Sequence, residues 1–379
     1  MKLVHLSDLH LGKRVNEFSM IEDQKFILKQ IEEIIDDEKP DGVILAGDIY
    51  DKSIPSEEAV NLLDSFIGDL SEKKIPVYAI SGNHDSVDRL SFGADIMEKS
   101  GIFISRAFNG ETKKITLTDQ FGEVNLYMLP FVKPSYVKAF YDGEDVSTYT
   151  AMCKTIIDKM NIDTSKRNVL IAHQFVANAK ISDSEDSMFV GGLCGVDVSV
   201  FAPFDYVALG HIHSPQNPGK TPLVRYSGTP LKYSFSEAKD KKSVTILELG
   251  KKGDVKYRTV DLKPLRDMVE IKGKYEEIMN KSFYEGKTWN EDYMHITLTD
   301  EEDIPNAVAK LRVVYHNLMK IDYDNTRTQR NNAIDVDEKV DTKSPLELFG
   351  ELYEKQNNQP MSEEQSKFVQ SLIEKIWED

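Results

Sequence analysis

The sequence has few cysteines and no long hydrophobic run, and these two absences exclude several classes of protein. Its two cysteines, Cys153 and Cys194, form no Cys-x-x-Cys pair, which excludes a disulfide framework and a zinc–cysteine site. We therefore expect a reducing compartment, with both cysteines as small buried hydrophobic residues. No apolar stretch approaches the ~18 residues of a membrane span. The first residues, MKLVHLSDLH, carry an acid at position 8 and lack the pattern of a signal peptide. These features predict a cytoplasmic protein that does not contact a membrane.

Positive charge is also scarce. The 379 residues contain 47 lysines and arginines against 64 aspartates and glutamates, which gives a formal net charge of −17. A nucleic-acid-binding protein usually carries a basic surface, so this charge alone argues against one. Hydrophobic residues make up 40% and charged residues 29% of the chain, a balance typical of folded globular proteins. The length predicts two or three domains.

Short uncharged runs alternate with helical patterns in the first part of the chain. The runs predict strands buried on both faces at Leu3–Leu6, Val43–Ala46, Val77–Ile80, Val124–Leu129, Val169–Ala172, Tyr206–Leu209 and Val244–Leu249. Two amphipathic helices are predicted around Ile27–Ile35 and Val60–Leu70, whose apolar residues follow helical spacing. This alternation of strands and helices predicts a layered α/β domain, to which we assign residues 1–262.

The rest of the chain is predicted to form three further segments. Residues 263–324 are expected to be a small α/β capping domain. Its predicted elements are strands at Met268–Ile271, Met294–Leu298 and Lys320–Tyr323, and a helix with apolar residues from Ile304 to Leu318. Residues 325–343 lack periodicity and large apolar groups, so they are predicted to be a linker. Residues 344–379 are predicted to form two short helices, because Ser344–Glu347 and Ser362–Gln365 each match a capping box.

Polar residues follow five of the predicted strands directly at their carboxyl ends. These groups are Ser7-Asp8-Leu9-His10, Gly47-Asp48, Gly82-Asn83-His84-Asp85, His173 and Gly210-His211-Ile212-His213. The ligand site of an open α/β sheet lies beyond the carboxyl ends of its strands, so we expect these loops to converge. Asp, Asn and His side chains without cysteine favour a site for hard divalent cations. Two neighbouring cations need an anionic bridge, and Asp48 is the candidate for it.

In this order, the motifs resemble the calcineurin-like metallophosphoesterase superfamily. Within it, LSDLHLGKR, LAGDIYD, SGNHDS, ALGHIHSPQ and YSGTPLKYSFSE together resemble the SbcD family of bacterial nuclease subunits. The resemblance spans roughly residues 1–237, and the rest of the chain matches only in layout. It implies a two-layered β-sandwich flanked by helices, with a small α/β cap domain and a C-terminal helical tail.

The resemblance also implies the roles of individual residues. One ion would be held by Asp8, His10, Asp48 and His213. The second ion would share Asp48 and add Asn83, His173 and His211. His84 would be the acid that assists the leaving group, with Asp85 orienting its ring. The implied ions are two Mn²⁺, with Mg²⁺ as a partial substitute. The role of Asp51 stays open, because some relatives carry a histidine just after the loop of the bridging aspartate.

The resemblance implies a metal-dependent DNA nuclease that acts in DNA repair, recombination and replication. Its substrates would be double-stranded DNA ends and hairpins, cleaved by exonuclease and endonuclease activity, and the small α/β capping domain at residues 263–324 would contact the DNA. Its partners would be SbcC, an ABC-type coiled-coil ATPase that the helical segment 344–379 docks on, and a second copy of the chain. Two alternatives stay open: a small-molecule phosphodiesterase or phosphatase of the same superfamily, and a DNA-end-binding clamp with a vestigial site.

Several other polar residues have ordinary structural interpretations. His5 lies within a predicted strand and is expected to be a core histidine with satisfied hydrogen bonds. His295 and His316 are expected to be structural or exposed. Arg14, Arg89 and Lys232 lie near the motifs. Each could contact a phosphate or could be an ordinary charged surface residue, and the sequence fits both roles equally well.

Overall fold

Two β-sheets face each other at the centre of the protein. A computed structural model describes residues 1–185, 195–219, 223–326, 345–357 and 360–377. In spatial order, the strands of the first sheet are Val255–Asp261 (β13), Ser243–Leu249 (β12), Lys2–Leu6 (β1), Gly42–Ala46 (β4), Val77–Ile80 (β5) and Ile102–Ile104 (β6). In spatial order, the strands of the second are Val224–Tyr226 (β11), Tyr206–Gly210 (β10), Arg167–His173 (β9), Gly122–Leu129 (β8) and Lys113–Asp119 (β7).

The middle strands of both sheets are parallel. In the first sheet β1, β4, β5 and β6 run in one direction, and β12 pairs with β1 in the opposite direction. In the second sheet β8, β9, β10 and β11 are parallel, and β7 is antiparallel to β8. Parallel strands end at the same edge of their sheet. The loops after β1, β4 and β5 therefore lie along one edge of the first sheet, and the loops after β9 and β10 lie along one edge of the second.

Helices cover the outer faces of the two sheets. The helices of this part of the chain are Ile21–Glu38 (α1), Glu57–Glu72 (α2), Val87–Leu90 (α3), Ala94–Met97 (α4), Pro134–Val137 (α5) and Tyr149–Lys159 (α6). Helices α1 and α2 pack on the first sheet through residues such as Ile31 and Phe66, while α6 packs on the second through residues such as Ile156. A short hairpin, Arg14–Val15 (β2) with Phe18–Ser19 (β3), precedes α1.

The predicted buried strands and the sandwich are confirmed. Residues from both sheets, such as Ile44 and Ile171, form one fully buried cluster between the layers. His5, in β1, also lies there with no exposed surface, and it contacts the Tyr206 hydroxyl at 3.1 Å and the Leu209 carbonyl at 3.2 Å. The core role predicted for His5 is therefore confirmed.

A small third sheet follows the sandwich. In order its strands are Met268–Gly273 (β14), Tyr293–Leu298 (β15) and Asn317–Tyr323 (β16). Its helices are Tyr275–Ile278 (α7), Lys281–Tyr284 (α8) and Ala307–Leu311 (α9). The helix predicted between Ile304 and Leu318 is present but shorter, because only Ala307–Leu311 of this stretch is helical. Leu318 belongs to β16 and is buried as a strand residue. Its distance in the sequence from the preceding apolar residues happens to match helical spacing.

By its contacts the chain divides into two units. The first comprises the described residues of Met1–Leu298 and Asp303–Asp322, and therefore contains nearly all of the third sheet. The second comprises Thr299–Glu302 and the described residues from Tyr323 onward. The domain boundaries expected from the sequence, including the one at residue 263, stay predictions.

The second unit contains the two predicted C-terminal helices, Pro345–Asn357 (α10) and Glu363–Trp377 (α11). The capping box at Ser362 is confirmed: its amide donates to Gln365 Oε1 at 2.9 Å, and the Gln365 amide donates to Ser362 Oγ at 3.2 Å. Gln365 Nε2 also donates to the Tyr353 hydroxyl at 3.0 Å, which joins the helices. The capping box at Ser344 and most of the predicted linker lie outside the described residues.

The structure also bears on the two cysteines and on membrane-spanning helices. Cys153 is fully buried, and this burial raises the pKa of its thiol to about 12, so it is a small core residue as predicted. Cys194 lies outside the described residues. Among the helices that the structure describes, none has the length and hydrophobicity to cross a membrane.

Candidate metal centre

The loops after the parallel strands converge at one edge of the sandwich, as the sequence predicts. The Asp8 amide donates to the Gly47 carbonyl at 3.0 Å, and the His10 amide donates to the Asp48 carbonyl at 3.0 Å, so the loops after β1 and β4 are joined. The His211 amide, after β10, donates to Asp8 Oδ1 at 2.9 Å and joins the second sheet to the first. Backbone hydrogen bonds therefore fix the direction in which these side chains leave the strands.

Several of these residues adopt unusual backbone conformations. Asp8, His10 and Asp48 have φ angles of 53°, 44° and 48°, and His211 has a φ of 103°. Non-glycine residues rarely adopt positive φ, and such conformations concentrate at functional sites. The hydrogen bonds between the loops stabilise these conformations and bring the four polar side chains close to one another.

Two glycines give the site its space. Gly47 has a φ of +88°, and a Cβ atom there would overlap the His173 imidazole. A Cβ atom on Gly82 would overlap the Asp48 carboxylate. Any larger residue at either position would displace a predicted ligand.

Asp8, His10 and His213 form a first cluster whose ligand atoms lie within 4.8 Å of one another. The Nε2 atoms of His10 and His213 are 3.1 Å apart. Asp8 Oδ2 and His10 Nδ1 are buried without a hydrogen-bond partner. Leaving a buried carboxylate oxygen unpaired is costly, and a cation would satisfy it. These residues therefore fit a metal ion.

Asp48, His173 and His211 form a second cluster within the same 4.8 Å limit. The Asn83 side-chain oxygen lies 3.0 Å from His173 Nε2 and 2.9 Å from His211 Nδ1. His173 Nδ1 lies 2.9 Å from the Ala46 carbonyl, which can only accept a hydrogen bond. Nδ1 therefore carries a proton. Burial opposes charge on His173, but the Asp48 carboxylate, whose Oδ2 lies 3.3 Å from Nε2, outweighs it and raises the pKa to about 9. A metal ion at Nε2 would therefore displace a proton.

The Asp48 carboxylate lies between the two clusters. Its Oδ2 is 3.7 Å from His10 Nε2 in the first cluster and 3.3 Å from His173 Nε2 in the second. This position agrees with the bridge that the sequence predicts, and the mixture of oxygen and nitrogen donors suits first-row divalent cations.

Comparison with known proteins places the chain in a family. A family model described as calcineurin-like phosphoesterase matches residues 1–215, and one described as Type 5 capsule protein repressor C-terminal domain matches residues 264–357. The chain is 34% identical over 380 residues to the SbcD subunit of the nuclease SbcCD from Staphylococcus epidermidis (strain ATCC 12228 / FDA PCI 1200), and the match covers 98% of each protein. The chain belongs to the SbcD family.

Solved structures also resemble the chain. A protein of Thermus thermophilus, TT1561, matches with a TM-score of 0.40 and 10% identity over 68% of this chain and 98% of that one. A dimetal phosphatase from Danio rerio matches with a TM-score of 0.41 and 11% identity over 70% of this chain and 98% of that one.

Membership of this metallophosphoesterase family implies a pair of metal ions. Burial shifts the pKa values of several of the candidate ligands in this SbcD-family chain. Burial lowers the pKa of His211 to about 3 and holds the pKa of His10 well below its usual range, so both imidazoles are neutral. Burial raises the pKa of Asp8 to about 6. Burial opposes charge on Asp48 too, but the neighbouring histidines, His173 above all, outweigh it and hold its pKa well below the usual range. Asp48 therefore stays a carboxylate anion.

His84 lies at the open side of the centre. Its side chain is 24% exposed, whereas that of Asp48 is 2% exposed. Its Nδ1 lies 2.9 Å from the Asp51 carbonyl, and its Nε2 lies 3.9 Å from Asp48 Oδ2. Nδ1 therefore donates to a backbone carbonyl, and His84 forms a third group of potential ligand atoms with His10 and Asp48, all within 4.8 Å of one another.

The orienting role predicted for Asp85 needs correction. Its carboxylate accepts three backbone N–H bonds instead, from Ile49 at 3.1 Å, Tyr50 at 2.9 Å and Gly82 at 2.9 Å. The His84 ring is oriented by the Asp51 carbonyl. Asp85 therefore stabilises the loops after β4 and β5, and its motif position beside His84 had suggested a direct contact.

Asp51, whose role the sequence left open, also contacts the first cluster. Its Oδ1 lies 2.8 Å from Lys13 Nζ and 3.6 Å from His10 Nδ1. The 3.6 Å separation is too long for a hydrogen bond, so Asp51 pairs with Lys13 and adds negative charge beside the His10 ring.

The other polar residues named from the sequence lie apart from these two clusters. Lys232 Nζ is occupied by Asp267 at 2.8 Å and the Ala238 carbonyl at 2.6 Å, so its contacts are structural. His295 bridges Glu270 and Asp322 on the third sheet, a structural role as expected. His316 is exposed, as are Arg14 and Arg89.

Sequence reasoning missed Gln24, which holds the loop that carries His10. Its Nε2 donates to the His10 carbonyl at 2.7 Å, and its Oε1 accepts from the Gly12 amide at 2.9 Å. Tyr233 adds a bond from its hydroxyl to the Leu9 carbonyl at 2.6 Å. The one sequence signal for Gln24 is a polar residue on the buried side of an amphipathic helix.

Proposed function

We propose that this chain is the nuclease subunit of an SbcC–SbcD-type complex and hydrolyses phosphodiester bonds in DNA with two Mn²⁺ ions. The observation that carries this proposal is the convergence of seven Asp, Asn and His side chains around Asp48 at one edge of the sandwich. The family relationship supplies the substrate class, since the Staphylococcus epidermidis relative is named a nuclease. A decayed site would have lost ligands, which argues against a vestigial, purely DNA-binding role.

In this proposal Asp8, His10, Asp48 and His213 hold the first ion. Asp48, Asn83, His173 and His211 hold the second. When bound, a pair of divalent cations supplies a hydroxide at neutral pH and neutralises charge on the phosphate. Mn²⁺ suits these donors because carboxylate, amide and imidazole groups are all among its ligands. Mg²⁺ is a weaker substitute, since it favours oxygen donors.

His84 is proposed to protonate the departing sugar oxygen. Its Nδ1 donates to the Asp51 carbonyl, so the ring has a fixed orientation, and Nε2 is the atom that can hold a transferable proton. The partial exposure of the side chain leaves room for a substrate to reach it. A positioned acid of this kind contributes typically about 10²–10⁴-fold to a rate.

The net charge of −17 remains poor for binding DNA unaided. Bound cations reduce the negative charge at the site, and the partner ATPase is proposed to supply further affinity. DNA ends and hairpins are the proposed substrates. A second copy of the chain is proposed as a further partner by family resemblance alone.

The C-terminal helices are the proposed docking segment for the coiled coil of that ATPase. Phe349 and Leu352 on α10 are 45% and 52% exposed, and Phe368 on α11 is 64% exposed. Large apolar side chains left in solvent on amphipathic helices suit a helical partner. The name of the Staphylococcus epidermidis relative, as one part of SbcCD, agrees with a two-protein assembly.

The decisive assay compares two substrates. The purified chain, with and without Mn²⁺, is given an end-labelled DNA duplex and bis-p-nitrophenyl phosphate. A nuclease degrades the duplex only with metal, and the partner ATPase with ATP increases that rate. Hydrolysis of the small ester with an intact duplex under every condition would favour a small-molecule phosphodiesterase. Cleavage of neither would favour a binding role.

A further inference from the structure

His213 is held by a chain of polar groups that the metal clusters do not include. Its Nδ1 lies 2.5 Å from Ser184 Oγ, and Ser184 Oγ donates to Glu237 Oε1 at 2.5 Å. Glu237 Oε2 lies 2.5 Å from Lys242 Nζ. His213, Glu237 and Lys242 are all buried, with relative exposures of 2%, 0% and 5%. A buried chain of charged and polar groups of this kind is costly unless each member is satisfied.

The direction of the hydrogen bonds follows from the chemistry of the groups. The Glu237 carboxylate only accepts, so the Ser184 hydroxyl donates its single proton there. The same hydroxyl oxygen must then accept from His213 Nδ1–H. The proton on Nδ1 leaves the Nε2 lone pair of His213 facing the first metal cluster. This is the tautomer that a metal ligand needs.

Two further groups hold the backbone of His213. Glu185 Oε1 accepts from the His213 amide at 2.7 Å, and Lys242 Nζ donates to the His213 carbonyl at 2.9 Å. The Thr229 amide donates to the same carbonyl at 3.0 Å. The position of the imidazole and the position of its backbone are therefore fixed by one set of residues.

The segment YSGTPLKYSFSE (residues 226–237) contributes most to this arrangement. It provides Thr229 and Glu237, and Ser236 Oγ accepts from the Asp183 amide at 2.9 Å, which ties the segment to the loop that carries Ser184. The motif thus brings a distant loop over His213, although it contains no metal ligand.

We propose that Ser184 and Glu237 are positioning residues that fix His213 in the Nδ1–H tautomer and so set the affinity of the first metal site. The inference rests on the proposed function, in which His213 is a ligand of that site. Lys242 balances the charge of Glu237, so that the carboxylate stays available to Ser184. The second site, built from Asn83, His173 and His211, does not depend on this chain of groups.

The test is calorimetric titration of the full-length, chelator-treated protein with Mn²⁺. The wild type binds two ions. Ser184→Ala, which leaves the Glu237–Lys242 pair in place, weakens one site by about 10–100-fold, the usual effect of removing a group behind a metal-bound histidine. Ser184→Thr keeps the hydroxyl and restores the affinity. Ser105→Ala is the matched control, because Ser105 is also a buried serine but its hydroxyl has no hydrogen-bond partner, and both sites keep wild-type affinity.

A double-mutant cycle tests the connection to Glu237. Glu237→Asp keeps the charge but shortens the side chain, so it weakens the same site, and together with Ser184→Ala it adds little further loss. Nitrogen NMR of the metal-free protein reports the tautomer: Nδ1–H in the wild type, and a mixture in Ser184→Ala. Wild-type affinities and an unchanged tautomer in Ser184→Ala would overturn the inference. Failure of the wild type itself to bind two ions would instead overturn the proposed function.

Discussion

The His211 amide donates a 2.9 Å hydrogen bond to Asp8 Oδ1, and this bond joins the carboxyl ends of two strands that belong to different sheets. Both residues have positive φ angles, 53° for Asp8 and 103° for His211. The bond occupies one oxygen of the carboxylate and leaves Oδ2 buried without a partner. The fold thus orients one carboxylate oxygen by a backbone contact and leaves the other available for the cation proposed above.

Asp8→Asn separates these two functions. The amide oxygen of the asparagine can still accept from His211, so the loops stay joined, but the anionic ligand of the first ion is lost. We expect the Mn²⁺ affinity of one site to fall while the second site and the melting temperature change little. Calorimetric titration with Mn²⁺ and thermal unfolding measure the two effects. Equal weakening of both sites would show that Asp8 does not belong to one ion alone.

Asp48→Ala should have a broader effect. Because the Asp48 carboxylate lies between both clusters, its removal should weaken the binding of both ions. Hydrolysis of bis-p-nitrophenyl phosphate should therefore be lost more completely than in a variant that affects one site. Metal content after dialysis decides the matter. Two ions retained at wild-type affinity would refute the bridging role.

His84→Gln tests the division between ligands and acid. His84 lies within 4.8 Å of ligand atoms of His10 and Asp48, but each proposed ion has four other ligands. The variant should therefore bind both ions with wild-type affinity, while turnover falls by about 10²–10⁴-fold. His316→Gln is the control, because that histidine is 57% exposed and lies on the third-sheet part of the chain. Loss of metal from His84→Gln would make His84 a ligand and contradict the assignment.

The convergence of the proposed ligands could be predicted from the sequence, because each polar group follows a short apolar run without charged residues. The contacts of Ser184 and Glu185 with His213 could not, since they join a loop to a residue 28 or 29 positions away without a periodic pattern. The role of Asp85 was wrong for a related reason. A carboxylate beside His84 in the sequence turned out to bind backbone amides of two loops, which no motif encodes.

The acid stability of the fold should depend on Asp119. Its carboxylate bonds to the Arg167 guanidinium at 2.5 and 3.0 Å and to the Met1 amine at 2.9 Å. The Arg167 hydrogen bonds hold its pKa well below the ordinary value of 3.8. Because the pKa is lower in the folded state, this stabilisation is complete above pH 3.8 and is lost as the pH falls below it.

Asp119→Asn should therefore lower the free energy of unfolding by about 1–2 kcal/mol at pH 7, after allowance for solvent screening, and by less at pH 3. Urea unfolding at the two pH values measures the difference. Asp142→Asn, at an exposed position, is the control and should be neutral at both. A penalty that grows as the pH falls would contradict the interpretation.

Deletion of residues 344–379 tests the docking segment. The truncated chain should keep two Mn²⁺ sites and hydrolyse bis-p-nitrophenyl phosphate, but no longer co-purify with the SbcC-type ATPase. Phe349→Asp with Leu352→Asp in the full chain should give the same loss of binding, since both side chains are exposed. Val313→Asp, at a side chain that is 73% exposed in the first unit, is the control and should bind normally. Continued co-purification of the truncated chain would refute the docking role.

The central claim, a pair of ions that share Asp48, is tested most directly by anomalous diffraction from crystals of the protein soaked with Mn²⁺. The account predicts two anomalous peaks. One is bound by Asp8, His10 and His213, the other by Asn83, His173 and His211, and the Asp48 carboxylate contacts both. A single peak, or two peaks of which only one contacts Asp48, would contradict it.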